Sequence, residues 1–315
     1  MVSMEIINNY KLKSNLSTTS AGTCRWSFCE KNGKVFFIKE FLSPVYPTSS
    51  ALSKEMTEHK KRICEEFYTS RRKFYDVLSS CRSGNIVTVD DFFRSGSKYY
   101  IVTDKVENTE PNINITLRLS EQQKLTLLKT IAYSFSLLHE SGIVHADVKP
   151  DNILLKRAAE GNVTAKIIDF DAGFLVGNEP EEMAGDFPYL APETFLKMNE
   201  EEVKITQKID IFALGLLFHQ YWTGTLPKIN ANYNYTFEAV LDRSNVQLSN
   251  LLPAKVAMVI QKMLALNPDE RPSAKDVFSM LSDEPRKPIV VEEPKPAITM
   301  SKKKGFYSAF NGNKS

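Results

Sequence analysis

No stretch of the 315-residue sequence stays apolar long enough to span a bilayer; IFALGLLF at 211–218 falls far short of the roughly 20 residues needed. The opening MVSMEIINNYKLKS lacks the apolar core of a secretory leader, so an intracellular, cytoplasmic chain without membrane insertion is expected. Cysteine is scarce: the four, Cys24, Cys29, Cys64 and Cys81, include no CxxC pair. That argues against a zinc cluster or disulfide framework and for free thiols in a reducing compartment. An excess of either charge is also missing, since 40 Lys and Arg stand against 38 Asp and Glu. The resulting +2 gives no electrostatic footing for nucleic acid or a membrane surface. Internal repeats are absent too.

What is present is a 42% hydrophobic fraction, enough for one large domain or two lobes. The first hundred residues read as strands with a helix. RWSFCEK and VFFIKEF flank Asn32-Gly33, the strongest short hairpin signal. Residues 51 to about 80 read as one long helix or two, with Ile63, Phe67, Phe74 and Leu78 at helical spacing. NIVTVDDFFRSGSKYYIVTDKV (85–106) reads as two strands joined around Ser95-Gly96-Ser97. From about 120 the pattern turns helical. A helix opens on a Ser120 cap and closes on Gly142, NILL and AKIIDF are short strands, and 207–224 is apolar on nearly every face. Residues 254–266 and 273–282 read as further helices, and from 283 onward Pro, Lys and Glu without periodicity predict a flexible tail.

The chemistry concentrates in HADVKPDN (145–152) and KIIDFDAGF (166–174). Both follow short apolar strands, which directs their side chains to one rim of a cleft. Asn152 and Asp169 offer hard oxygens of the kind Mg2+ takes alongside phosphate. Asp147 is left to orient or deprotonate a hydroxyl, and Lys149 to neutralise a phosphoryl group in flight. Lys39 stands at the end of an apolar strand and needs an anionic partner, because burying its charge alone is expensive.

These parts resemble the phosphoryl-transfer machinery of the eukaryotic-type Ser/Thr protein kinases, over about residues 10 to 282. The resemblance implies an α+β fold of two lobes. One is a small antiparallel N-lobe with one helix (about 10–105); the other is a larger, mainly helical C-lobe (about 106–282). Residues 1–9 would be an N-terminal extension. It also implies ATP and Mg2+ as cofactors, a protein substrate, and a regulatory protein partner. Asp147 would be the catalytic base and Lys149 its phosphate-contacting partner, with Asn152 and Asp169 on the metal. The ATP-binding set would be Lys39, Glu66, Gly22, Thr103, Asp104, Val106 and Leu154. In that set Thr103 is a small gatekeeper, and Asp104 and Val106 offer backbone groups to adenine. Glu58, Glu65 and Glu66 compete as the helix acid that pairs with Lys39, and Glu66 is favoured as the one in the half nearer GNIV. Glu193 of Ala-Pro-Glu would pair with Arg271, and Asp210 would anchor the catalytic-loop backbone. His145 would be packed behind Phe170, and Cys24 would be a small residue over the nucleotide.

The chain departs from the family at several places. Ala146 replaces the arginine that receives an activation-segment phosphate, and 171–189 contains no Ser or Thr. An enzyme not switched by phosphorylation there is the simplest expectation. Asp171 replaces a glycine, which would either restrict Asp169 or add to metal binding. STTSAGTCRW holds only Gly22 where three glycines are expected. Phe37 replaces a small residue above the adenine and would narrow the pocket or shift the nucleotide. Asp186 replaces a threonine and would pair with Lys149 or select a basic residue near the acceptor. These departures motivate an alternative: a pseudokinase serving as a nucleotide-binding or scaffolding module.

Overall fold

The structure, a computed structural model, describes residues 5–19, 24–48, 53–81, 83–106, 112–157 and 163–282. Gly22 and the stretch read as a tail, including Lys302–Lys304, lie outside the described residues. Among the described residues, six strands come from the first third of the chain: β1 (Ile6–Ile7), β2 (Tyr10–Leu12), β3 (Cys24–Lys31), β4 (Lys34–Phe41), β5 (Val89–Ser95) and β6 (Lys98–Asp104). They form one sheet in the order β1-β2-β3-β4-β6-β5, with every pairing antiparallel. Asn32 and Gly33 make the β3–β4 turn with φ of 53° and 78°. Left-handed angles at both centres match the right-handed twist of the flanking strands, as the Asn-Gly pair predicts. The sheet begins at Ile6, inside the stretch read as an extension, because Ile7 is buried with Tyr10, Leu12, Ile38 and Val102.

Among the described residues a single helix runs between β4 and β5, α1 (Lys54–Ser80), capped by the Ser53 side chain on the Met56 N–H. Its buried face is Cys64, Phe74, Tyr75 and Leu78, with Phe67 against Phe41 and Tyr99 of the sheet at ring-centroid distances of 5.4 and 5.2 Å. Ile63 was expected in that stripe and is 42% exposed; Cys64, one residue on, takes its place. One step along a helix rotates the side chain by about 100°.

The remainder is mainly helical: α2 (Asn112–Leu117), α3 (Glu121–Glu140), α4 (Pro192–Met198), α5 (Lys208–Thr223), α6 (Thr236–Leu241), α7 (Ala254–Met263) and α8 (Ala274–Leu281). Ser120 caps α3 through a reciprocal capping box with Gln123. α5 buries 13 residues, so its apolar, all-round sequence makes it the central post of this half. Two short antiparallel ribbons sit against the helices: β7 (Ile143–Val144) with β10 (Phe174–Leu175), and β8 (Ile153–Arg157) with β9 (Val163–Ile167). The halves are joined by main-chain bonds between Ile167 and the segment before β5, Val87 N–H to Ile167 O at 2.9 Å and Ile167 N–H to Asn85 O at 2.8 Å. The loops after β7 and β9 therefore open on the same cleft that β4 overhangs.

Candidate active site

The loop after β7 is held from below by one buried carboxylate. Asp210 on α5 accepts the backbone N–H groups of His145 and Ala146, at 2.9 Å each, and sits 3.0 Å from His139 Nε2. Ala146 is thereby kept at φ 62°, a left-handed conformation costly for a residue with a Cβ. His145 is fully buried. Its ring lies 4.8 Å from that of Phe170 and its Nε2 is 3.0 Å from the Ile168 carbonyl, so it ties the loop to the segment after β9. Asn112, at the start of α2, supports the same loop by donating to the carbonyls of Pro150 (2.6 Å) and Ile153 (2.5 Å) and accepting the Leu155 N–H.

On this base Asp147, Lys149 and Asn152 come together. The Asn152 amide donates to both the carbonyl and the carboxylate of Asp147, at 2.8 Å each, and Lys149 Nζ stands 3.0 Å from the same carboxylate. Lys149 also lies 3.7 Å from Asp186, one of the two roles open to that substitution. Burial alone would lower the Lys149 pKa, but Asp147 and Asp186 outweigh it and raise it. Because the Asn152 NH2 group is spent on Asp147, the group left for it to offer is its oxygen, a hard ligand of the type Mg2+ prefers. With the Asp169 carboxylate, the donor set fits Mg2+.

Lys39 reaches into the cleft from β4, 9% exposed. Its ammonium is 2.6 Å from Asp169 Oδ1 and 2.9 Å from Asp171 Oδ2. Burial opposes the charged form, yet the two carboxylates together raise the Lys39 pKa. Two acids on one cation do not titrate alike. Burial works against the ionised form of both; Lys39 carries Asp169 below the usual carboxylate range, while burial and the Asp169 charge hold Asp171 above it. Glu66, favoured as the partner of Lys39, is not brought there: its side chain is 70% exposed, 3.9 Å from Arg62 on the outer face of α1. Glu58 and Glu65 are exposed as well. The inward charged residue of α1 is Arg71, whose guanidinium donates to the main-chain carbonyls of Asp171 (2.6 Å) and Gly173 (2.9 Å). Arg71 escaped the sequence reading although it lies on the apolar stripe, four residues after Phe67 and three before Phe74. A charge on such a stripe is a signal in itself. Gly173 permits the close approach, since a Cβ there would stand 2.7 Å from the Phe74 ring.

The wall above the cleft is aromatic. Phe37 projects on the same face of β4 as Lys39 and packs on Trp26 (5.4 Å) and Phe28 (5.9 Å). Thr103 is its β6 partner, and Asp104 next to it pairs with Lys34 at 2.5 Å. Leu154 is half-buried on the face of β8 opposite the buried Ile153 and Leu155, and Val106 is half-buried. Cys24 is 2% exposed, and burial, reinforced by Asp171, pushes its thiol up to about 12, so it is inert. Behind the site Glu193 and Arg271 form a buried two-point pair at 2.6 and 2.9 Å.

The sequence model for the protein kinase domain matches residues 48–281, well over half of the chain, so the chain belongs to the protein kinase family. Its sheet-and-helix halves are the two lobes of that α+β fold. Among curated proteins it is similar to sperm motility kinase Z of Mus musculus, 26% identical over 65% of this chain and 40% of that protein. It is similar also to the serine/threonine-protein kinase cds1 of Schizosaccharomyces pombe, at 26% over 71% of this chain and 49% of that protein. The Aurora kinase of the same yeast is 24% identical over 70% of this chain and 61% of that protein. The chain thus spans less than two thirds of the length of each of these relatives.

Proposed function

We propose that the protein is a serine/threonine kinase, which transfers the terminal phosphoryl group of ATP, with Mg2+, to hydroxyls of a protein substrate. The observation that carries this reading is the convergence of Asp147, Lys149 and Asn152 on one side of the cleft with Lys39 and Asp169 on the other. Phosphoryl transfer asks for positioning and charge neutralisation rather than covalent chemistry, and this set supplies both. Asp147 accepts a hydrogen bond from the incoming hydroxyl and takes its proton; Lys149, already beside it, neutralises charge on the transferred group. Lys39 holds the non-transferred phosphates. Asn152 and Asp169 would hold Mg2+, which screens the phosphate charge when bound. Thr103, Asp104, Val106 and Leu154 surround the adenine, and Phe37, Trp26 and Phe28 offer it aromatic faces. Ser/Thr specificity rests on Asp147-Val148-Lys149-Pro150-Asp151-Asn152, which resembles that class. A regulatory protein partner belongs to the same proposal.

Activity is proposed not to depend on phosphorylation of 171–189. Ala146 has no cation to receive a phosphate, and Tyr189, the only hydroxyl of the stretch, is buried with its oxygen bonded to Gln220. The aromatic packing of Phe37 against Trp26, where a smaller side chain would leave more room, favours one second reading: a nucleotide-binding or scaffolding module without turnover.

Intact-protein mass spectrometry after incubation with Mg2+ and ATP, alone and with a generic basic protein acceptor, tests the proposal, with Asp147→Ala in parallel. Phosphate-sized mass steps on the protein or the acceptor with the wild type only are expected. Nucleotide-dependent thermal stabilisation without any mass step would establish the second reading instead.

A further inference from the structure

Two acids hold Lys39, Asp169 and Asp171, and neither comes from α1. α1 covers the cleft behind β4, yet none of its acids turns inward: Glu55, Glu58, Glu65, Glu66 and Asp76 are all exposed. Its inward charge has the opposite sign, and Arg71 spends that charge on two carbonyls of the segment 171–173. Negative charge reaches Lys39 from the segment itself, through Asp171 Oδ2 at 2.9 Å from Lys39 Nζ, beside Asp169 Oδ1 at 2.6 Å.

We infer that Asp171 is the standing counter-ion and positioning residue of Lys39, with Arg71 as the brace that fixes Asp171. Two features of the geometry carry this. First, Lys39 has two carboxylates, and they are not equivalent in duty. Asp169 belongs to the donor set that fits Mg2+, whereas Asp171 is committed to the protein, its carboxylate on Lys39 and near the Cys24 thiol (3.6 Å) and its carbonyl on Arg71. When Asp169 turns to its ligand, Asp171 keeps the ammonium from drifting. Second, the arrangement is reciprocal. An acid in place of a small residue after Phe170 brings a carboxylate onto Lys39, and an arginine from α1 holds the main chain of the same segment. The segment is thereby fastened to α1 by Arg71 and to β4 by Lys39, so the position of α1 is read at the phosphate-holding lysine without an acid on the helix.

The inference rests on the kinase reading only for its effect on turnover, and one of its readouts does not need nucleotide. In the full-length protein without ligand, the modification rate of each lysine by a small amine-reactive reagent is followed by peptide mass spectrometry. Lys39 in Asp171→Asn, an isosteric change, is expected to label about tenfold faster than in the wild type, because a charged partner has been lost. Lys208, half-buried elsewhere, is the control and is expected to keep its rate. Arg71→Met is expected to give a smaller acceleration of about threefold. In turnover assays Asp171→Asn should lower kcat about tenfold or more, with the KM for ATP within about threefold, as befits a group that acts on where Lys39 stands and not on substrate directly. An unchanged Lys39 labelling rate in Asp171→Asn, with Lys208 as in the wild type, would overturn the inference. A wild type that transfers no phosphate while the labelling pattern follows expectation would instead remove the kinase reading and leave the Lys39–Asp171 pairing standing.

Discussion

Arg271 and Glu193, 78 residues apart, meet as a buried pair in which both guanidinium NH2 groups reach both carboxylate oxygens, at 2.6 and 2.9 Å. Arg271 is 1% exposed, and its remaining donors are taken by the carbonyls of Ala265, Lys208 and Leu266. Because every donor is satisfied, the pair locks the first turn of α4 to the turn before α8. Removing one partner strands the other charge in the core, which costs about 3–5 kcal/mol. Glu193→Ala is therefore expected to lower Tm by on the order of 10 °C in a domain of this size. Differential scanning calorimetry of the variant checks it, and a shift of only a degree or two would mean that the charges are less buried than described.

Asp210 supports a strained residue. Ala146 at φ 62° carries a left-handed penalty of about 1–2 kcal/mol, which Asp210 offsets by accepting the N–H of Ala146 and of its neighbour. Ala146→Gly removes the penalty and gives part of it back as unfolded-chain entropy, so a net stabilisation of about 0.5–1 kcal/mol is expected in urea titrations. Asp210→Asn leaves one of the backbone donors poorly paired. A loss of about a hundredfold in kcat with an unchanged far-UV spectrum is expected, since displacements of an ångström at a reacting group have that effect.

Much of this was legible from the residues alone, wherever the deciding forces are local. The Asn32-Gly33 turn, the Ser120 cap and the all-round burial of α5 each follow from a short stretch of chain. The loops 145–152 and 166–174 were legible as one site because order and spacing along the chain narrow the chemistry sharply. What escaped was which charged residue of α1 turns toward the cleft. Glu66 is favoured by its place along the chain, in the half of α1 nearer GNIV, and that place does not fix which way its side chain faces. Arg71 sits on the stripe of Phe67 and Phe74, where only its charge marks it. The acids that reach Lys39, Asp169 and Asp171, lie on the segment after β9, Asp171 132 residues away in sequence, and no periodicity within α1 points to Asp171.

Tyr189 offers a direct test of how the segment 171–189 is regulated. Its ring is 9% exposed and its hydroxyl donates to Gln220 on α5, so a modifying enzyme has no access without unfolding the turn. Phosphosite mapping of protein with demonstrated turnover is expected to find no phosphate between 171 and 189. Tyr189→Phe should leave kcat within about twofold and cost about 1 kcal/mol of stability, the worth of one hydrogen bond. A phosphate on this stretch that raises turnover would reverse the proposal.

His219 gives the lower half a pH dependence whose sign can be worked out. The ring is 1% exposed; Nδ1 lies 2.7 Å from the Thr225 carbonyl and Nε2 is 3.0 Å from the Ser249 N–H, the pattern of a neutral imidazole that donates at one nitrogen and accepts at the other. Burial lowers its pKa beneath the ordinary 6.5, against a smaller opposing pull from Thr225. Below pH 6.5 the unfolded chain then binds a proton that the folded chain refuses. The stability contributed by His219 is thus complete above that pH and declines as pH falls, by at most about 1.4 kcal/mol per unit. A His219→Gln variant should be less stable than the wild type at pH 8, and the gap in Tm should close steadily toward pH 5. Thermal melts of both proteins at half-unit intervals measure that gap; a constant difference across the range would show that His219 does not titrate with folding.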